Sequence, residues 1–387
     1  MHASRPRIRT CGCNAPLWRR WSAVDFSKRR CRERSATGRS WQGCSISSAT
    51  AGGVLRAIDR DRFDVIPVGI TRSGAYVLED DDPEKFALDP SRMPEVVDNG
   101  TRIVWPDSAE TRELRVRDAA GERSLGRIDV VLPILHGRFG EDGTVQGFLE
   151  LLDIPYAGAG VLMSAIGMDK HTTKSVLKAA GVPVVPWVTV TRADLERDRA
   201  QIEHRVRALD LPVFVKPARA GSSVGVTKVA DLSDLDAAFE TAFAEDDTVL
   251  VEKAVTGREI ECGVLPGRDG GLPRVSLPGE IVITGREFYD FEAKYLGAPG
   301  VELVCPAQLR DGEMAEMQRV AARAFEAVGG EGLARVDFFF TGTDFFVNEV
   351  NTMPGFTPIS MFPACWIATG MTYTELISEL IDGARER

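Results

Sequence analysis

The chain reads as an α/β protein built of three units, and three observations lead to that reading. From residue 51 onward, short runs rich in β-branched residues alternate with helix-patterned segments. A hydrophobic share of 44% over 387 residues suffices for a sizeable core. Near the C-terminus two apolar runs, 333–340 and 345–350, flank a Gly-containing turn and read as a hairpin.

Residues 1–44 are unlike the remainder. Residues 1–50 hold eleven Lys or Arg against two Asp or Glu, so the net charge of −10 divides into +9 there and −19 over 51–387. Cys11, Cys13, Cys31 and Cys44, four of the seven cysteines, lie in the same stretch. It lacks the apolar core of a signal peptide, resembles a transit peptide only faintly, and is expected to be disordered. An odd cysteine count without a Cys-x-x-Cys pair points neither to a disulfide framework nor to zinc; Cys262, Cys305 and Cys365 read as reduced thiols of a cytosolic core. The acidic balance argues against a nucleic-acid binder, and no stretch approaches the ~20 apolar residues needed to span a bilayer.

The first unit, 45–159, opens with a helix through Leu55 and Ile58 and a strand over Phe63–Ile70. After an acidic loop at Glu79–Asp82, a buried strand over Ile128–Leu135 is expected to end in the loop His136–Gly143, followed by a helix through Val145 and Leu149. A Gly-rich loop at the end of such a strand is where open α/β sheets take ligands. The second unit, 160–253, contains a helix over Ser164–Ala180 stopped by Gly181, the run Val182–Val190, and a charged helix over Arg192–Leu209. A strand then ends in Lys216 before the turn Gly221-Ser222-Ser223-Val224-Gly225, a helix over Asp231–Ala244 and a strand over Thr248–Lys253. The third unit, 254–387, holds a strand around Ile260, the segment Glu287–Tyr295, and a helix with Asp311 as N-cap and a stripe through Met317, Val320, Ala321 and Ala324. The hairpin and a helix from Thr372 complete it.

Alternate strand residues share a face, so Arg335 and Asp337 project together from one hairpin strand and Glu349 and Asn351 from the other. A three-residue loop centred on Thr343 sets Asp337 opposite Glu349 and Arg335 opposite Asn351. Carboxylates crowded on a packed face repel one another, and an all-oxygen set suits hard Mg²⁺ that also holds substrate phosphates. A solvated surface hairpin is the alternative, but the apolar flanks Phe338, Phe340, Phe345, Val347 and Val350 weigh against it.

Lys216 adjoins a turn whose small residues let backbone N–H groups approach phosphate oxygens, although the Walker A pattern is absent and the same residues make ordinary hairpin turns. Glu252 and Lys253 end a strand entering the third unit, where an adenine fits between domains, and Glu259 is suited to ribose hydroxyls. Lys170, one turn before Lys174, reaches toward a phosphate unless its helix face is merely solvated. His136 is the best placed of the four histidines to touch substrate.

Five motifs occur in the order found in bacterial D-alanine:D-alanine ligases: His136–Gly143, Met168-Asp169-Lys170, Val215-Lys216-Pro217 with Gly221–Gly225, Tyr289–Tyr295, and Asn348–Thr357. From about Ser45 to its end the chain resembles that family, a member of the ATP-grasp superfamily. The resemblance implies an N-terminal open-sheet domain and two subdomains clamping ATP, contacted by Lys170, Lys216, Ser223, Glu252, Lys253 and Glu259. It implies two Mg²⁺ (or Mn²⁺) on Asp337, Glu349 and Asn351, with Glu349 bridging. The carboxylate of one D-alanine then takes the γ-phosphoryl group, and the amine of a second displaces phosphate from the acyl phosphate. Arg335 and the backbone at Gly355 would form an oxyanion hole, Ser360 and Met361 would line the second substrate's site, and Lys294, Tyr295 and Ser222 would close the site against water. A cytoplasmic homodimer supplying peptidoglycan precursors is the implied setting.

One departure from the family stands out. Its opening strand and Gly-Gly-x-Ser-x-Glu-His turn, whose glutamate anchors the first substrate's ammonium, have no counterpart here; Trp41–Cys44 carries neither Glu nor His. A shifted reading frame or misplaced start is expected to underlie the change, with weak activity and poor folding as consequences. A ligase using D-serine as second substrate and a nucleotide-binding pseudoenzyme are the alternative readings.

Overall fold

The computed structural model describes residues 42–87, 94–221, 223–284 and 300–386, with side chains from Ser47 onward. Residues 43–387 form one compact unit; of residues 1–42 only Gln42 is described. The expectation of disorder over 1–44 therefore falls almost wholly outside the described residues.

The chain runs α1 (Gln42–Ala57), β1 (Val68–Ile70), β2 (Tyr76–Leu78), β3 (Arg102–Val104), β4 (Glu113–Asp118), β5 (Gly121–Arg127), α2 (Thr144–Leu151), α3 (Val161–Met168) and α4 (Lys170–Ala179). It continues through β6 (Trp187–Thr191), α5 (Arg192–Arg207), β7 (Val213–Pro217), β8 (Thr227–Val229), α6 (Leu235–Phe243), β9 (Thr248–Lys253), β10 (Arg258–Leu265), β11 (Arg274–Val275), β12 (Gly279–Ile283) and β13 (Val301–Val304). Then come α7 (Asp311–Ala327), β14 (Ala334–Phe340), β15 (Phe345–Asn351), α8 (Met361–Ala368) and α9 (Tyr373–Arg385). No helix among the described residues is long and apolar enough to cross a membrane.

Two antiparallel sheets carry the motifs. One has the order β6-β9-β7-β8; the other has β13-β12-β10-β14-β15, with β11 on β10. The stripe on α7 packs as its spacing requires: Met317, Val320, Ala321 and Ala324 join Val336, Phe338, Phe340, Phe345 and Val347 in one core. One face of the β14–β15 ribbon is thereby sealed, and the other carries Arg335, Asp337, Glu349 and Asn351 beside the Phe339–Phe346 pair.

Several expectations need correction. The strand expected over 63–70 is confined to Val68–Ile70. The run 128–135 has one isolated bridge, Val131 to Tyr156, instead of a strand, and the sheets described in the first unit are an antiparallel β1–β2 pair and an antiparallel β3-β4-β5 sheet, so the single open sheet expected there is replaced by two small ones. A strand exists only where neighbours satisfy its amides and carbonyls, and among the described residues no ladder partner flanks 128–135 beyond that bridge. The run over 182–190 becomes a strand only at β6, with a lone bridge from Val184 to Val347 before it. The single helix over 164–180 is two, because Asp169 adopts extended backbone (φ −106°, ψ 106°) and its side chain accepts from the Thr172 amide. That break makes Lys170 the first residue of α4. Asp311 is likewise the first helical residue of α7, with Arg310 as N-cap.

Gly167 lets α3 lie against β15. A Cβ there would stand 2.7 Å from Thr352 Cγ2 and 3.2 Å from the Val350 carbonyl. Gly167→Val is expected to cost about 1–3 kcal/mol by overpacking, read by urea unfolding, and to lower activity by pushing Lys170 away from the ribbon.

Candidate active site

The hairpin register is the expected one, reached by another route. Arg335 pairs with Asn351 and Asp337 with Glu349, but the connection is four residues, 341–344, because Phe340 pairs with Phe345. An irregularity between Asp337 and Phe338, where Phe338 meets Val347, leaves Asn348 as the extra residue and restores the register. Asp337, Glu349, Asn351 and Arg335 consequently share one face.

On that face Arg335 grips Asp337 through two 2.7 Å hydrogen bonds, Nε to Oδ1 and an Nη to Oδ2. It also stands 3.0 Å from Glu261 Oε2. Asn351 Nδ2 donates to Asp337 Oδ2 at 2.9 Å and to Glu349 Oε1 at 3.4 Å. Asp337 is 7% exposed and Glu261 6%. Burial pushes the Asp337 carboxyl up to about 8; Arg335 opposes this, while Glu261 and Glu349 add to it. Burial disfavours the Arg335 cation, but Asp337 and Glu261 outweigh it and raise its pKa. Three acids around one guanidinium leave the ribbon face short of positive charge.

Glu261 was missed by sequence reasoning, which singled out Glu259. Glu261 lies opposite Asp337 across the β10–β14 pair, and Glu259, on the same face of β10, lies opposite Phe339. The period of two from Glu259 to Glu261 was the available signal.

The other sheet supplies cations. Lys216 on β7 reaches Glu252 Oε2 at 2.5 Å, and Lys174 on α4 stands 3.1 Å from Oε1. Glu252 is 2% exposed and Lys174 1%. Burial works against the Glu252 carboxylate, yet the two lysines outweigh it and hold the group below its usual range. For Lys174 burial is the larger effect and lowers the pKa against the pull of Glu252. Lys170 joins the sheets: its Nζ donates to the Ala220 carbonyl at 2.6 Å, next to the Gly-rich turn, and lies 3.9 Å from Glu349 Oε2.

The remaining residues divide. Lys253, the strand neighbour of Glu252, points the other way and pairs with Asp210 at 2.9 Å, so the two adjacent residues do not act on one face. Ser223 lies in the turn with φ +59° and is exposed. The backbone amide of His136 donates to Ser47 Oγ at 3.0 Å. His136 Nδ1 lies 3.0 Å from the Met353 carbonyl, which can only accept, so Nδ1 carries a proton, and Nε2 lies 3.2 Å from Thr50 Oγ1. It ties α1 to the segment after β15. Gly355 approaches Ser360, whose Oγ accepts from the Thr357 amide at 3.1 Å. The Met361 side chain is buried against Ile281 and Cys365, so only its backbone is available to line a site. Ser222, Lys294 and Tyr295 lie outside the described residues.

Known proteins share this architecture. The VanG D-Ala:D-Ser ligase of Enterococcus faecalis aligns with a TM-score of 0.75 at 33% identity, covering 88% of this chain and 95% of that one. The D-alanine-D-alanine ligase of Coxiella burnetii gives 0.72 at 35%, covering 90% and 91%. Two subdomain sheets presenting cations and carboxylates to each other, in that architecture, define an ATP-grasp fold. The family model for the D-ala D-ala ligase N-terminus matches residues 38–159, and that for the C-terminus matches 176–382. D-alanine--D-alanine ligases of Kineococcus radiotolerans and Streptomyces coelicolor are 52% and 48% identical, covering 89% and 88% of this chain and 93% and 90% of theirs. The chain belongs to the D-alanine--D-alanine ligase family.

Proposed function

We propose that this chain uses ATP to join two D-alanines into D-alanyl-D-alanine, with the acyl phosphate of the first as intermediate. The observation that carries this reading is the meeting at Lys170, which donates to the Ala220 carbonyl beside the Gly-rich turn of one sheet and nears the Glu349 carboxylate of the other. A triphosphate laid between the sheets would meet Lys170 and Lys216 on one side and need a counter-charge against Asp337 and Glu349 on the other. Among the described residues no cluster of three or more His, Cys, Asp or Glu has metal-site geometry. Two carboxylates and an amide short of positive charge nevertheless fit Mg²⁺ or Mn²⁺ carried in with the nucleotide. Bound there, such ions would neutralise charge on the transferring phosphoryl group.

The chain's own residues then have distinct tasks. Lys170 and Lys216 bind phosphate oxygens, Ser223 and the turn backbone cover them, and Glu252 and Glu259 border the nucleoside, while the Lys253 side chain, turned to Asp210 on the opposite face, is left out of it. Arg335, with Gly355, faces the carbonyl oxygen as it becomes anionic. His136, Ser360 and the backbone of Met361 shape the amino-acid end; Ser222, Lys294 and Tyr295 carry the closing roles implied by resemblance. We take 45–159, 160–253 and 254–387 as the working domains of a cytoplasmic homodimer serving peptidoglycan synthesis.

Incubation with ATP, Mg²⁺ and D-alanine as sole amino acid is expected to release ADP and D-alanyl-D-alanine together. ADP release only when D-serine is added would replace D-alanine as second substrate, a reading disfavoured by the 46–52% identity to D-alanine--D-alanine ligases. Nucleotide binding without turnover would mark a pseudoenzyme. Lacking the family's Glu-bearing turn, the chain is expected to show a high KM for D-alanine.

A further inference from the structure

Cys305 follows β13 and is half-buried; Cys365 lies on α8 and is fully buried. They are 60 residues apart in sequence, yet their Sγ atoms stand 3.9 Å apart. Cys365 Sγ lies 3.8 Å from the Glu261 carbonyl, and Cys305 Sγ lies 3.9 Å from the Pro278 carbonyl. The pair thus sits between the end of β13 and the strand whose Glu261 side chain reaches Arg335.

We propose that Cys305 and Cys365 are a reversible oxidation site, closing to a disulfide under peroxide and reopening under a thiol reductant. The Cys305 thiolate attacks one peroxide oxygen, breaking the O–O bond and leaving a sulfenic acid and, after protonation, water. Cys365 sulfur then attacks the Cys305 sulfur, its proton leaves with the displaced hydroxyl as a second water, and the S–S bond forms. Two thiols have lost two electrons to one peroxide.

The roles divide by environment. The hydrogen-bonding contact between the two sulfurs holds the Cys305 thiol below its usual range against the effect of burial, and the same contact, with burial, raises Cys365 well above it. The reactive sulfur is therefore the one solvent reaches, and the buried one resolves it.

Closure has a consequence for the site. An S–S bond is about 2.05 Å long, so the sulfurs must approach by about 1.9 Å. Helix α8 has little slack: Met361 Sδ would lie 2.0 Å from a Cβ on Gly279, and Trp366 Nε1 2.4 Å from one on Gly263. Its N-cap is Ser360, whose Oγ braces Thr357 beside Gly355. Drawing Cys365 toward Cys305 shifts that end, and this step rests on the ligase reading above.

The test exposes the full chain to hydrogen peroxide, digests it with trypsin, and measures ligase activity in parallel. A disulfide-linked pair of peptides 295–310 and 336–385 is expected, lost on dithiothreitol treatment, with D-alanine turnover reduced about tenfold and restored by the reductant. Cys305→Ser should show neither the linkage nor the reversible loss. A linkage of 259–268 to 336–385 instead, no linkage, or an equal reversible loss in Cys305→Ser would overturn the proposal. Linked peptides from a chain inactive even when reduced would leave the oxidation site standing and sink the ligase reading instead.

Discussion

Glu349→Gln is expected to lower D-alanine-dependent ADP release by about 10³-fold or more while leaving stability within about 1 kcal/mol. The two halves have one cause. Glu349 adds negative charge beside Asp337, whose carboxyl is already pushed up to about 8, chiefly by burial. Removing that charge relieves a repulsion in the resting protein, and the 3.9 Å approach of Lys170 is too long to lose much. In the presence of a nucleotide carrying its divalent ion, the same carboxylate is the proposed ligand, so its loss falls on the reacting state. Steady-state ADP release and urea unfolding on one preparation separate the effects. Activity within tenfold of the parent would remove Glu349 from the site; collapse of the fold would make it structural.

Lys174→Met is expected to destabilise the chain by about 3–5 kcal/mol, among the largest effects of any single substitution here. Glu252 is buried and its two oxygens face Lys174 and Lys216. Deleting Lys174 strands much of that charge, and Lys216 alone must neutralise it instead of presenting to phosphate. The KM for ATP should therefore rise as well. Combining Lys174→Met with Glu252→Gln should recover most of the lost stability, since the cost lies in the unpaired charge and not in the missing volume. Urea unfolding of the single and double variants decides, and a single-variant loss below about 1 kcal/mol would mean that water already reaches the pair.

The parts of the molecule legible in the residues were those governed by local pattern. The α7 stripe, the strand over Thr248–Lys253, the helix after Thr372 and the facing of Asp337 and Glu349 each follow from a local period of 3.6 or 2. Even the bulge at Asn348 left a trace: apolar parity runs Phe345, Val347, then skips to Val350. The segment 128–135 misled because an apolar β-branched run records what a strand could be made of, not whether neighbours exist to pair with it. Lys174 was named only as a neighbour of Lys170, because a lysine's burial depends on a carboxylate 78 residues away. Glu261 was lost for a similar reason, since its partner Arg335 arrives from a distant strand. Ion pairs between segments far apart in the chain have no period in the sequence.

Phosphoryl transfer to the D-alanine carboxylate is the step to which Lys170, Lys216, Arg335 and the ribbon acids are all assigned. It is read most directly by supplying D-alanine labelled with ¹⁸O in its carboxylate, together with ATP and Mg²⁺, and analysing the released inorganic phosphate by mass spectrometry. One ¹⁸O per phosphate is expected, because the carboxylate oxygen that takes the phosphoryl group leaves with it when the second amine attacks. Unlabelled phosphate, formed alongside ADP, would mean that water or another acceptor receives the group, and would contradict the account.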